Sequence, residues 1–495
     1  MKVLNKLTAP KATAPERIIQ FGEGNFLRAF VDWIVKNMNE KTDFNSSVVI
    51  LQGTPDDFAM KLLSSQDYMY TVNLQGRLNG EIVNSFQRID VINRGLSPWG
   101  QHDAVLGLAV QPEIRFVISN TTEAGIAFDA SCKLNDAPPA SYPAKLTQIL
   151  YTRYKAFGGD PKKGLIIMPC ELIFENGHHL KKFINDYIDL WKEDLGADYE
   201  GFKTWFNTYN YVCATLVDRI VPGFPRKEIG NIQEKLGYKD NVVVQGEAFH
   251  VWVIERPENM SIDELKAEFP AEKAGLNVII TDSEAPYHER KVTLLNGPHT
   301  VLSPVSYLSG VDIVRDACNH EVIGKYIHKV QFDELMQTLN LPMDELKAYG
   351  ESVLERFNNP FVDHQVTSIM LNSFPKYQTR DLPGVKTYLE RKGELPKGLV
   401  LGLAAIITYY KGGKRADGAP IQPKDDQKIM DLLTELWATN DTRKVAEGVL
   451  AADELIWKEH GNLNEIPGLT DLVTEYLDSI QQKGMLATVE SILLE

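Results

Sequence analysis

Cysteine is scarce: Cys132, Cys170, Cys213 and Cys318 are the four in a chain of 495 residues. They form no Cys-x-x-Cys pair and no metal-ligand spacing, which argues against a zinc site or a disulfide scaffold and suits a reducing compartment. Long apolar runs are missing as well. The N-terminal stretch MKVLNKLTAPKATAPERI lacks the continuous hydrophobic segment of a secretory signal. The longest apolar run, GLVLGLAAIITYY (398–410), is thirteen residues, too short for a bilayer and suited to a buried helix. Positive charge is in deficit, with 52 Lys and Arg against 67 Asp and Glu and a net charge of −15. That balance disfavours non-specific attraction to nucleic acid or to an anionic membrane surface. An anionic substrate therefore needs a locally basic pocket. These absences point to a cytoplasmic protein whose partners are small molecules.

What is present is globular in composition, 43% hydrophobic and 24% charged, and long enough for about two to four domains. The first half alternates β-branched runs with helical patterns, the mark of a parallel sheet with crossover helices. RIIQFG (17–22) reads as the first strand and NFLRAFVDWIVKNMNE (25–40) as the helix after it, with Phe26, Phe30, Trp33, Ile34 and Met38 at helical spacing. Further strands are expected at 48–53, 115–120, 164–170, 211–221 and 241–255, with a last one at 279–283. Residues 71–92 alternate around Gly76 and Asn79–Gly80 and read as antiparallel strands inserted into this pattern. Beyond Lys291 the chain is nearly all helical in pattern, in segments such as FDELMQTLN, MDELKAYGESVLERF, KIMDLLTELW and GLTDLVTEYLDSIQQ. The fold class expected is therefore α/β: a Rossmann-like, doubly wound domain over 1–275, then a mainly helical domain over 276–495, with the site in the cleft.

Two motifs carry chemistry. In GEGNFL, Gly22 and Gly24 hold the first two places of Gly-x-Gly-x-x-Gly, and Leu27 holds the third. Two glycines permit a tight turn and a close backbone approach to a dinucleotide pyrophosphate, whereas losing the third implies looser helix packing. A degenerate match of this kind is as often a plain turn. The residues expected to contact the dinucleotide are Ile19, Gln20, Phe21, Gly22, Glu23, Gly24, Asn25, Phe26, Leu27, Arg28 and Ala29, together with Asn120. The second strand ends Gln52–Gly53–Thr54, with Asp56 and Asp57 soon after and no Arg or Lys for a 2′-phosphate. That favours NAD over NADP.

The second motif is Lys291, Asn296 and His299 in KVTLLNGPHT. Offsets of five and three let all three project to one broad side of a helix, although Gly297–Pro298 would interrupt one. An amine whose pKa is lowered from near 10.4 to about 7–8 by burial or by a cationic neighbour can exchange a proton with a carbonyl oxygen. Arg290 and the apolar residues 292–295 offer both influences. Asn296 can donate to an alkoxide without adding charge, and His299 can assist. Taken singly, a Lys is usually a surface charge, Asn–Gly a turn and a His a packing residue.

Together these motifs resemble the mannitol dehydrogenase family of polyol-specific long-chain dehydrogenases. Its GxGxFxRA turn is met by Gly22, Gly24, Phe26, Arg28 and Ala29, and its Lys-x4-Asn-x2-His signature by Lys291, Asn296 and His299. The likeness runs through nearly the whole chain, including SNTTEAGI (119–126), VDRIVPG (217–223) and RFNNP (356–360). It implies a metal-free, NAD-dependent oxidoreductase in which Lys291 is the general acid/base and Asn296 and His299 assist at the carbinol oxygen. Mannitol-type members usually carry Cys-Asp-Asn where this chain has Cys170–Glu171–Leu172. The missing asparagine leaves Asn176 or a water as its replacement. The likeness is to the branch acting on hexuronates, which implies a sugar-acid substrate in hexuronate catabolism. Fructuronate or a neutral polyol such as mannitol is the nearest alternative. The alternative of another class is a non-catalytic sensor of a nucleotide or sugar acid. Arg380, Lys376 and His364 are the candidates for the substrate carboxylate, against a reading as exposed charges.

Overall fold

β-Branched residues on both faces of a strand demand cover on both sides, and the N-terminal half is built to that requirement. The protein is described here by a computed structural model covering residues 1–122, 124–415 and 417–494; Glu123 of the SNTTEAGI segment lies outside them. The chain divides into one unit of Met1–Gln75 with Ile82–Tyr287 and a second of Gly76–Glu81 with His288–Glu495. The sequence pattern had placed the change of character at 275/276.

β1 (Glu16–Phe21), β2 (Ser47–Leu51), β3 (Tyr70–Leu78), β4 (Glu81–Ile89), β5 (Ile92–Leu96), β6 (Phe116–Ser119), β7 (Ile166–Pro169) and β8 (Tyr211–Val212) follow in order, in the first unit except for the ends of β3 and β4 within Gly76–Glu81. A six-stranded sheet runs β5-β2-β1-β6-β7-β8, with its pairs parallel. This is the doubly wound order, which reverses direction beside β1 and opens a crevice at the carboxyl ends of β1 and β6. Alternate residues feed separate cores: Ile18, Val48, Ile50, Phe116 and Ile118 on one face, Ile19, Phe21, Val49, Leu51 and Val117 on the other.

The segment 71–92 forms β3 and β4 around Asn79 and Gly80, both with positive φ (54° and 82°) as a two-residue hairpin turn requires. β3 pairs in parallel with β10 (Val244–Glu247). The runs 211–221 and 241–255, expected as single strands, each break in two. β9 (Ala214–Asp218) follows β8, and β11 (Val251–Glu255) lies between β9 and β12 (Val278–Thr281). Buried Arg219 ends the first run, donating to the carbonyls of Ala29, Phe249 and Ala248 with its guanidinium 4.2 Å from the Trp33 ring centre. Glu247 accepts from the Ile220 backbone, and His250, its pKa lowered to about 3 by burial and by Arg219, accepts from the backbone of Asn277. Glu247 ends β10, and His250 lies in the turn just before β11.

The second unit is helical apart from short pieces. Its GLVLGLAAIITYY run forms the helix Lys397–Tyr409, buried continuously from Gly398 to Ile407. A Cβ at Gly402 would fall 2.4 Å from Val301 Cβ, so glycine sets the close approach to helix Gly297–Leu308. Glu334 caps the buried start of that apolar helix, accepting from Gly398 and Leu399 N–H at 2.7 and 2.9 Å. The FDELMQTLN segment is not an α-helix: Lys329–Glu334 winds as π and Leu335–Thr338 as 3-10. Gln331 just before it and Glu334 within it are drawn to backbone groups of neighbouring elements, which breaks the amphipathic period. Among the described residues no helix is long and apolar enough to cross a membrane.

Candidate active site

The first candidate element is the glycine turn at the carboxyl end of β1. Gly22 N–H donates to Leu51 O, and Asn120 N–H to Phe21 O, so the turn sits where the sheet order reverses. Gly22 has φ +113°, and a Cβ there would fall 3.1 Å from Leu27 Cδ1 and 3.2 Å from Asn120 O. Leu27, in the place of the third glycine, thus packs down over the turn instead of loosening it. Nothing stands within 4 Å of the Cβ position at Gly24, leaving its backbone open to a ligand; this fits a pyrophosphate passing close to the main chain.

The helix after the turn is not continuous. α1 (Asn25–Ala29) stops at Phe30 (φ −118°, ψ −72°), and α2 (Val31–Lys41) follows. Several residues predicted as contacts build this corner. Arg28 is buried, donating to Glu23 O, Val242 O and Asn25 Oδ1. Gln20 donates to Gly22 O, while Ile19, Leu27 and Ala29 are buried in the core. Gly24 and Asn25 are exposed, Asn120 is half-buried and Glu23 is buried, and Phe26 is partly buried against Phe30 at 4.9 Å.

Around the neighbouring strand ends, Glu171 ties β6 to β7. Its carboxylate accepts from Ser119 Oγ, Thr121 Oγ and Thr121 N–H, and Asn120 donates to Cys170 O at 2.7 Å. Asn176 is fully buried, its amide donating to Pro169 O, Glu171 O and Thr215 O and accepting from Thr215 N–H. Both ends are used on backbone, so Asn176 does not replace the missing asparagine at an oxyanion.

The second element lies in the helical unit. Lys291 closes the helix Ala285–Lys291, Val292–Asn296 winds as a π turn, and Gly297–Leu308 continues as α-helix. Gly297 N–H bonds Val292 O, five residues back. The Gly297–Pro298 pair therefore does not interrupt the helix. Pro298 has no N–H for the carbonyl of Leu294; buried Gln331 donates to that carbonyl at 3.2 Å and to Gly350 O at 3.1 Å.

The π turn also settles which way the three residues point. Five residues of an α-helix turn about 500°, which would put Asn296 about 140° round from Lys291. A π turn absorbs one extra residue, so the offset of five acts as four and that of eight as seven. Asn296 then lies about 40° to one side of Lys291 and His299 about 20° to the other. All three share one face.

His299 is the best-defined member. Its ring stacks on Phe357 at 4.0 Å and meets His364 edge-on at 5.3 Å. Burial, then His364, Arg356 and Arg380, hold its pKa well below the usual imidazole range, and its Nε2 is buried with no protein hydrogen-bond partner. A neutral imidazole with a spare ring nitrogen suits an oxygen ligand. Arg290, expected as a cationic neighbour for Lys291, instead pairs with Glu345 at 2.8 Å and lies over Tyr349 at 4.2 Å.

Of the predicted carboxylate group, His364 and Arg380 come to this face. Arg380 donates to Thr300 Oγ1 at 3.3 Å. A Cβ at Gly297 would fall 3.0 Å from Asp381 Oδ1 and 3.6 Å from Arg380 O, so glycine lets this pair approach the segment that carries Asn296 and His299. Lys376 donates to Ile369 O, and burial followed by Arg380 lowers its pKa. Arg356 also acts on His299; the only sequence signal for it was the RFNNP segment.

Comparison with known proteins gives the family of both halves of the chain. Residues 16–268 match the mannitol dehydrogenase Rossmann domain and 284–481 the mannitol dehydrogenase C-terminal domain. A protein of Phocaeicola vulgatus named altronate oxidoreductase is 70% identical, covering 100% of both chains. One of the same name from Pectobacterium carotovorum is 43% identical over 99% of each. The fold is shared with Pseudomonas fluorescens mannitol 2-dehydrogenase, solved with NAD and D-mannitol (TM-score 0.66, 22% identity, 100% of both chains). It is shared also with a D-sorbitol dehydrogenase (TM-score 0.79, 21% identity, 99% and 100%). By both halves of its length and by full-length identity, the chain belongs to the mannitol dehydrogenase family.

Proposed function

We propose that the protein is an NAD-dependent altronate oxidoreductase, interconverting D-tagaturonate and D-altronate in hexuronate breakdown. The observation that carries this reading is 70% identity over full length to a protein of that name. The geometry of the helical unit supports it. A ketone oxygen facing the shared side of Lys291, Asn296 and His299 would meet an amine, an amide donor and a neutral imidazole. When bound, the nicotinamide supplies hydride in reduction and accepts it in oxidation. In reduction Lys291 Nζ gives a proton to the carbonyl oxygen, and in oxidation it takes the proton back. Asn296 Nδ2 and His299 Nε2 hold the developing charge on that oxygen. Arg380 and Arg356 give this face the positive character that a sugar acid requires in a chain of net charge −15. The dinucleotide is assigned to the Gly22–Gly24 turn.

The test is nicotinamide absorbance during turnover of tagaturonate, fructuronate and fructose, for the wild type and Lys291→Ala. We expect tagaturonate to be preferred and the variant to lose roughly 10²–10⁴ in kcat. Preference for fructuronate or fructose would discard the substrate and keep the proton chemistry. Cofactor binding with no turnover of any sugar would favour a sensor.

A further inference from the structure

The acid that holds the adenosine ribose in many dinucleotide folds stands at the end of the second strand, about twenty residues beyond the glycine turn. Here that place is empty of acid. β2 ends at Leu51, and Gln52, next in line, is 4% exposed and donates its amide to Thr54 O at 2.7 Å. A carboxylate nevertheless reaches the spot from elsewhere. Glu23, between the two glycines of the turn, places Oε2 2.9 Å from Gly53 N, two residues beyond the strand. Gly53 has no positive φ to require glycine, and it contributes no side chain of its own to this corner.

The surroundings are acidic. Burial raises the pKa of Glu23, the Gly53 N–H and Arg28 lower it, and Asp56 lies near enough to raise it. Residues 52–60 contain no Lys or Arg, and Lys61 beyond them is paired with Asp57 at 2.8 Å. Arg28, the cation nearest in sequence, is turned inward to Val242 O and Asn25 Oδ1. A ribose 2′-hydroxyl can donate to such a carboxylate, whereas a 2′-phosphate would meet like charge there.

We propose that Glu23, supplied by the glycine turn, replaces the strand-end acid and sets the preference for a dinucleotide with a free 2′-hydroxyl. This rests on the dinucleotide reading above. Glu23 is then both part of the turn and the specificity-determining group, while Gln52 is a structural residue.

The experiment is calorimetric titration of the full-length protein with ADP-ribose and with 2′-phospho-ADP-ribose, for the wild type and Glu23→Gln. Glutamine keeps an oxygen for Gly53 N–H and removes the charge. The wild type should favour ADP-ribose, and Glu23→Gln should move the ratio of affinities towards the phosphorylated fragment by at least about tenfold. The kcat/KM ratio for NADPH over NADH should move the same way. If Glu23→Gln does not fold, Glu23→Ala serves. In the unmodified protein, rising salt should narrow the discrimination, because the repulsion is screened. An unchanged ratio, or parallel loss of both affinities, overturns the inference and leaves the dinucleotide reading standing. A wild type that binds neither fragment overturns both.

Discussion

The imidazole of His299 lies stacked on the ring of Phe357, centroids 4.0 Å apart and planes inclined by 23°. Phe357 ends the helix Met343–Phe357, so a residue with no reactive group fixes the plane in which His299 offers Nε2. Replacing Phe357 with leucine keeps an apolar side chain in a site that is 5% exposed but removes the stacked face. We expect kcat/KM to fall about three- to tenfold, the worth of one aromatic pair. Steady-state kinetics on the folded variant check this; wild-type kinetics would show that stacking does not hold the imidazole.

Gln331 is the support of the π turn from behind. With leucine in its place the carbonyl of Leu294 loses its donor inside the core, at a cost of about 1–3 kcal/mol. Denaturant unfolding should show that loss, together with a lowered kcat. A midpoint equal to the wild type's would mean that the carbonyl finds another partner.

Asn176 separates a structural from a catalytic role. Its four backbone hydrogen bonds tie the end of β7 to β9 and to Glu171 O, so Asn176→Ala should cost roughly 4 kcal/mol at about 1 kcal/mol for each bond. The folded fraction should turn over normally. Thermal melts and active-site titration decide between this and the opposite result, an intact melting temperature with lost turnover, which would return Asn176 to the reaction.

Asp32 gives a pH dependence of stability. It is buried on α2, hydrogen-bonded to Tyr70, and burial raises its pKa from 3.8 to about 7. A carboxyl raised in the folded state binds its proton more tightly there than when unfolded. Stability from this group is therefore full below about pH 4 and declines as pH rises towards 7. Asp32→Asn removes the titration. Its melting temperature relative to the wild type should rise between pH 5 and pH 8, and a constant difference would refute the assignment.

Much of the fold was legible because its signals are local. β1, β2, β6 and β7 are short β-branched runs, and the amphipathic helix Met343–Phe357 starts and stops where its period does. The glycine turn and the Lys291, Asn296 and His299 set were readable as patterns of residue type. What stayed hidden depends on partners distant in sequence. Arg28 looks like a contact residue until Val242 supplies its carbonyl, 214 positions away. Asn176 looks available until Thr215 takes both ends of its amide. The break at Phe30 and the non-α winding of 329–338 are likewise tertiary, since the apolar period of each segment alone favours an uninterrupted helix.

A π turn is an α-helix carrying one residue too many, and that makes the Lys291–Asn296 stretch unequal in its response to changes of length. Deleting one residue between them would relax the turn to α without swinging Asn296 away from Lys291. Inserting one would rotate everything beyond it by about 100°, carrying Asn296 and His299 off the shared face together. The segment is thus open to shortening and closed to lengthening. A relative with the two residues one position closer would hold the same site wound more tightly, and a search that demanded the present spacing would overlook it.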